Sequence, residues 1–170
     1  MIWILANPVA GQGRARRFAE QAALQLQREE IPVELHYTHQ KEHGYKLAEQ
    51  AVAQCVKTVA VCGGDGTLSE VVPALLNTST ALGLLPFGTA NDFARGLGVP
   101  QTLSKAVSVL VEGHVVSTDV GRCGDRYFTT VAAYGFDAEV SAAMEAGQAP
   151  LGGTAGYVLQ ALRHLRHYTP

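Results

Sequence analysis

Apolar positions in the first hundred residues fall into two alternating kinds of segment. Four short runs, 2–6, 32–38, 58–62 and 82–86, carry the aliphatic and β-branched residues of strands. Between them apolar residues return at helical spacing. Phe18, Ala22 and Leu26 recur at every fourth position with Ala19 and Ala23 beside them. Leu47, Ala48, Ala51, Val52 and Cys55 form a second stripe, and Val71, Val72, Leu75 and Leu76 a third. Strands alternating with helices predict an α/β domain, a parallel sheet covered by helices on both faces, because each helical crossover returns the chain in the same direction. This pattern holds over residues 1–113.

From residue 114 the character changes. Segments 115–123 and 126–134 are β-rich and are joined by Gly124-Asp125, a tight hairpin connection. A Gly/Ala/Pro-rich stretch, 146–155, leads into a helix predicted over 157–168. Val158, Ala161, Leu162 and Leu165 share one face of it, and Arg163, His164, Arg166 and His167 crowd the other, either as a solvated surface or as an attraction for anionic membranes. A hairpin and one helix are not a self-sufficient domain, so residues 114–170 read as the start of an incomplete β-rich second one. Val116, Phe128 and Val131 are its candidate core-facing residues, without a second sheet to bury them. Unpaired strand edges need cover, and a second copy of the chain is the simplest source, which predicts a homodimer through residues 115–170.

Composition narrows the function classes. The 170 residues hold 13 Lys+Arg against 15 Asp+Glu, a net charge of −2, which argues against a general nucleic-acid binder. With 47% hydrophobic residues there is ample apolar surface to bury, so disorder is excluded. Cys55, Cys62 and Cys123 form no C-x-x-C pair and point to a reduced, cytoplasmic chain. The apolar start lacks a basic region and stops at Asn7-Pro8, unlike a signal peptide, and no run approaches the length of a membrane span. Work at the periphery of a membrane stays open.

The eighteen glycines cluster where chemistry would sit. Cys62-Gly63-Gly64-Asp65-Gly66-Thr67 lies between a strand and a helix, where glycines admit a ligand to the backbone and the helix N-terminus offers N–H groups to phosphate. The Lys-Ser/Thr ending of a Walker A loop is missing. A carboxylate inside a phosphate loop would repel its ligand unless a cation intervenes, so Asp65 points to Mg²⁺, held directly or through water. The bland alternative is a capping box, Thr67-x-x-Glu70. Phe87-Gly88-Thr89-Ala90-Asn91-Asp92-Phe93 repeats the arrangement after the next strand, with Thr89 as a helix N-cap for its bland reading. Asn7-Pro8-Val9-Ala10-Gly11-Gln12-Gly13 follows the first strand, but Arg16 stands where a dinucleotide fingerprint needs its third glycine. Arg14, Arg16 and Arg17 open the next helix against its dipole, which an anionic ligand or simple solvation would offset.

Asn7-Pro8-x-x-Gly11, Gly63-Gly64-Asp65-Gly66-Thr67 and Gly88-Thr89-Ala90-Asn91-Asp92-Phe93, in this order and spacing, resemble the catalytic domain of diacylglycerol kinases. That family includes soluble bacterial lipid kinases and the sphingosine and ceramide kinases. The first glycine motif alone is shared with NAD kinases, whereas Gly88-Thr89-x-Asn91-Asp92 is typical of the lipid kinases. The resemblance implies a phosphofructokinase/NAD-kinase-like nucleotide domain and an ATP- and Mg²⁺-dependent transfer of the γ-phosphoryl group to a lipid hydroxyl at a membrane surface. It assigns ATP to Asn7, Pro8, Gly11, Thr38, Gly63, Gly64, Asp65, Gly66, Thr67, Glu70, Gly88, Thr89 and Asn91. It assigns an acidic network with Mg²⁺ and water to Asp65, Asp92 and Asp119. Family members continue into a long β-sandwich that closes the lipid cleft and in bacterial enzymes supplies the catalytic carboxylate. This chain ends at Pro170 without a counterpart, so Asp65 is its one candidate base, though better placed for the metal network. The expectation is a fragment with little activity of its own; the alternatives are an NAD kinase and a non-catalytic nucleotide-binding remnant.

Overall fold

The computed structural model describes residues 1–8, 10, 14–131, 140, 143 and 153–165. Contacts divide the chain into two units, Met1–Thr130 and Val131–Pro170.

In the first unit, β1 (Ile2–Ala6), β2 (Val33–Tyr37), β3 (Thr58–Gly63) and β4 (Ala81–Pro86) form a parallel sheet in the order β2-β1-β3-β4. Strict alternation along the two central strands feeds two cores. Trp3, Leu5, Val59 and Val61 pack with Leu47, Ala48 and Ala51 of α2 (His43–Ala53), with Leu68, Val71, Val72 and Leu75 of α3 (Asp65–Leu75), and with Phe93. Ile2, Ile4, Ala6, Ala60 and Cys62 pack with Ala19, Ala22 and Leu26 of α1 (Arg14–Arg28). A further helix, α5 (Leu103–Glu112), joins this second core through Ala106 and Val107. Both faces of the central strands are therefore dry, which is why β1 and residues 59–62 of β3 form continuous apolar runs rather than alternating ones. The α/β architecture with helices on both faces is the one predicted. The short α4 (Asp92–Gly96) follows β4 and places Phe93 in the first core.

The region after α5 departs from expectation. The predicted hairpin forms only as β5 (Gly121–Cys123) paired antiparallel with β6 (Arg126–Phe128), turning at Gly124 with φ +58°. Residues 115–120 are irregular and pair with no strand among the described residues. Val116 and Val131, expected to face a core, are each 73% exposed, while Phe128 is half-buried. Residues 132–134 of the predicted second strand lie outside the described residues. Cys55 also leaves its predicted stripe: α2 ends at Ala53, and Cys55 is exposed in the turn beyond it at φ +54°.

In the second unit the predicted helix is α6 (Gly153–Leu165), starting four residues earlier than its apolar pattern. Among its residues whose burial is described, 156–163, the buried positions are Gly156 and Gln160, one helical step of four apart. Val158 and Leu162, expected on the inner face, lie half a turn away and are more than half exposed. The ends of the expected basic face, Arg166 and His167, lie outside the described residues. Among the described residues no helix is long and apolar enough to cross a membrane.

The cysteines give a direct check of the packing at the end of β3. Cys62 is fully buried, and burial pushes its thiol up to about 12, whereas Cys55 and Cys123 are exposed. At pH 8 a thiol with that value is about one part in ten thousand thiolate. Iodoacetamide should modify two thiols in the native chain and the third only after denaturation, counted by mass spectrometry. Three equally fast modifications would mean that the strand end is open.

Candidate functional site

Four parallel strands send four loops to the same edge of the sheet. The chain runs from β1 out to β2, then crosses back to β3 and continues to β4, so the topological switch lies between β1 and β3. Open α/β sheets take their ligands outside the carboxyl ends of the strands at this point. The Asn7-Pro8 loop leaves β1, and the Gly63–Thr67 loop leaves β3, on either side of it. Asn7 and Pro8 are half-exposed, and the Ala10 N–H donates to the Asn7 carbonyl at 3.2 Å. Gly11 lies outside the described residues. Thr38 follows β2, is buried, and donates its N–H to the Ala6 carbonyl at 2.9 Å.

The glycines of the two motifs serve different ends. A Cβ on Gly63 would come within 2.6 Å of Thr67 Oγ1. Gly64 and Gly88 lie back to back: a Cβ on Gly64 would sit 3.0 Å from the Gly88 Cα, and one on Gly88 only 2.5 Å from the Gly64 Cα. These three glycines are thus required by chain against chain. Gly66 is different. Nothing lies within 4 Å of its missing Cβ, and its φ is not in the left-handed region, so the fold itself gives no reason for glycine there. It occupies the second position of α3, among the N–H groups that begin the helix.

Asp65 opens α3, with Gly64 as the N-cap, and this overturns the capping-box reading of Thr67 and Glu70. Thr67 already lies inside the helix, whose first bond runs from the Leu68 N–H to the Gly64 carbonyl at 3.1 Å. The Asp65 carboxylate instead accepts the N–H groups of Asp92 and Phe93, at 3.2 and 3.3 Å, so it caps α4 from across the edge. Asn91, not Thr89, is the N-cap position of α4, in the left-handed region at φ +52°. Asparagine tolerates that conformation. Its Oδ1 accepts the Gly88 N–H at 2.7 Å, and its Nδ2 donates to the Gly88 carbonyl and to Gln101 Oε1, both at 3.0 Å. Asn91 is buried and its polar atoms are spent inside the loop. It shapes the loop. Gln101, its distant partner, had no local signal in the sequence. Thr89 and Asp92 are exposed on the loop surface.

Asp65 and Asp92 meet at this edge, while Asp119 is exposed on the irregular segment before β5. The three do not build a direct cage, since among the described residues no three His, Cys, Asp or Glu side chains converge as metal ligands. Their hard oxygens nonetheless suit Mg²⁺, which is commonly held by one or two carboxylates with water and phosphate completing the shell. Beneath the crossing of the glycine loops lies a cavity of about 20 Å³, bordered by Val61, Leu68, Leu85 and Asn91. It has room for one water and far too little for a nucleotide, so a ligand of that size lies over the edge rather than inside it.

At the far side of the edge, Arg16 of α1 pairs with Glu20 at 3.0 Å and lies 5.4 Å from the centre of the Tyr37 ring. Tyr37 donates its hydroxyl to Glu20 at 3.2 Å. Burial first, and then the Glu20 carboxylate, push its phenol above the ordinary value. The Arg16 charge at the start of α1 is thus partly met within the chain itself, although such an exposed pair adds little stability.

Fold and edge together define a doubly wound α/β domain with its two glycine motifs at the carboxyl ends of β3 and β4. Residues 1–123 match the diacylglycerol kinase catalytic domain, and the chain belongs to that family. It is 33% identical over 140 residues to a diacylglycerol kinase of Staphylococcus carnosus, covering 81% of this chain and 46% of that protein. It is 38% identical over 131 residues to a Chromohalobacter salexigens protein named "Probable lipid kinase YegS-like", covering 75% and 42%. A crystal structure of a diacylglycerol kinase from Bacillus anthracis str. Sterne superposes with a TM-score of 0.66 at 29% identity, over 75% of this chain and 45% of that one. The chain spans less than half the length of these relatives.

The division among the glycines predicts opposite signs for two alanine substitutions. Gly66→Ala should stabilise the fold by about 0.5–1 kcal/mol, since a helical glycine gains from a methyl group that meets nothing. Gly88→Ala should destabilise it by about 1–3 kcal/mol through overpacking against Gly64. Urea unfolding measures both. Equal effects of the two substitutions would contradict the division.

Proposed function

We propose that this chain carries the ATP-binding part of a cytoplasmic lipid kinase, acting at a membrane surface and having little activity of its own. The observation that carries this reading is the convergence of the β1, β3 and β4 loops on one sheet edge around the β1/β3 switch, with Gly66 left open beside the first N–H groups of α3. Membership of the diacylglycerol kinase family supports ATP as the nucleotide, and the names of the relatives support a lipid rather than NAD as the acceptor.

In the reaction, a bond forms between the lipid hydroxyl oxygen and the γ-phosphorus as the bond from that phosphorus to the β,γ-bridging oxygen breaks. ADP leaves, and the hydroxyl proton passes to a base. The chain's own groups bind and orient. N–H groups at the start of α3 face the phosphates, as helix N-termini do for anions. Asn7, Pro8, Thr38 and Thr89 border the nucleotide, and Gly63, Gly64 and Gly88 hold the loops close enough to do so. Asp65, Asp92 and Asp119, through water, would hold Mg²⁺, which would supply charge neutralisation at the transferring phosphoryl group. Asp65, whose oxygens accept the N–H groups of Asp92 and Phe93, is assigned to this network and to the cap of α4 rather than to proton abstraction.

Mg-ATP or Mg-ADP should bind with a Kd in the micromolar to millimolar range, about −4 to −8 kcal/mol, by calorimetry. Gly64→Val should abolish binding, and Asp65→Asn, Asp92→Asn and Asp119→Asn should each weaken its magnesium dependence more than metal-free affinity. Assays of phosphoryl transfer to diacylglycerol in mixed micelles and to NAD then separate the readings. Transfer to NAD alone would replace the lipid acceptor, and no nucleotide binding at millimolar concentration would end the reading altogether.

A further inference from the structure

Glu70 lies one turn beyond the glycine loop on α3, and its carboxylate is engaged with the chain that follows β2. It reaches across to the start of α2, where one oxygen accepts the Glu42 N–H. The other fills the space beside Gly44, where an added Cβ would lie 2.6 Å from Glu70 Oε2. The start of α2 needs such a partner. Its N-cap, Glu42, makes no side-chain capping bond, and its first turn contains no acidic residue. Glu42 is also held at φ +66°, a left-handed conformation that costs a non-glycine residue energy and persists only when its surroundings fix it.

We infer that Glu70 is a positioning residue for the nucleotide site: from α3 it caps α2 in trans and so fixes the loop that carries Thr38 in register with the glycine loop. The inference rests on the reading of this edge as a nucleotide site. The links between the two are continuous. The Glu42 N–H is held by Glu70, the His43 N–H donates to the Gln40 carbonyl at 3.2 Å, the His39 N–H donates to His43 Nδ1 at 3.2 Å, and the Thr38 N–H is tied to Ala6 at 2.9 Å. Residues 38–43 thus hang between the end of β1 and one carboxylate on α3. A side chain that sequence resemblance would assign to ATP is engaged instead with the protein, and it carries the placement of one ligand loop to the other.

Four variants of the full chain test this. Glu70→Ala removes the carboxylate. Glu70→Gln keeps an oxygen that accepts the Glu42 N–H while removing the charge. Gly44→Ala pushes the carboxylate away without altering it, since the crowded atom is the free end of a flexible side chain. The double variant combines Gly44→Ala with Glu70→Ala. Hydrogen exchange should show lost protection at the amides of residues 42–46 in Glu70→Ala and in Gly44→Ala, with Val59–Val61 unchanged. Affinity for Mg-ATP should fall about tenfold in both, the scale of one lost hydrogen bond to a charged group. Glu70→Gln should stay within about threefold of the parent. The double variant should be no weaker than either single one, because both remove the same contact.

Retained protection at residue 42 in Glu70→Ala overturns the inference, as does an unchanged affinity in that variant. A Gln variant as weak as the Ala variant, with protection intact, would make the carboxylate a direct ligand and overturns it equally. If the parent chain binds no nucleotide at all, it is the reading of the site that fails. The exchange data then still decide the contact: protection lost in both Glu70→Ala and Gly44→Ala upholds Glu70 as the residue that holds loop 38–43, and protection kept overturns it.

Discussion

Neighbouring strands β3 and β4 leave the sheet side by side, and their exits cannot diverge. The ladder between them runs to its last rung, where the Phe87 N–H donates to the Gly63 carbonyl at 2.9 Å. One residue further, Gly64 and Gly88 pass so closely that neither has room for a Cβ. The rest of the edge follows from this contact. With the two backbones in touch, Asn91 can close its loop on both polar groups of Gly88, and Asp65 can reach the first N–H groups of α4. Two loops well separated in sequence are thereby tied to each other at the start of α3.

Among the described residues the edge holds no acidic cage; it offers the N–H groups at the start of α3, one open glycine, and the Asp65 carboxylate beside the Asp92 backbone. Backbone donors fixed in advance attract an anion without the entropy cost of ordering long side chains, so a site of the proposed kind would rest on placement rather than on net charge. Family membership is consistent with a site of this kind, and the chain covers less than half the length of its relatives, so lipid contact and proton abstraction belong to the proposed function rather than to the described edge.

Local pattern alone was enough for the four strands and for three of the helices that cover them, α1, α2 and α3, but not for α5. β1 and residues 59–62 of β3 are continuous apolar runs because both their faces are dry, and the alanine-rich stripe of α1 recurs every three to four residues because only one of its faces is. The glycine motifs were legible for the same reason, being short, contiguous and placed at strand ends. What each of their residues does was not. Asp65, Asn91 and Glu70 look alike in the sequence, as polar residues in or beside a phosphate loop, and only the folded chain shows that the first caps α4, the second braces Gly88 and the third caps α2. The partners of Asp65 and Glu70 lie on other elements, and Asn91 joins Gly88 three residues back to Gln101 ten residues on; no periodicity encodes such pairings. The failures after residue 114 have the same origin. Residues 115–120 have strand-like composition, but a strand exists only where another backbone completes its hydrogen bonds, and the inner face of α6 depends on what packs against it rather than on which of its residues are apolar. Sequence determined where elements and motifs lie, because those are set by neighbours along the chain; tertiary structure decided partners and roles, because those are set by neighbours in space.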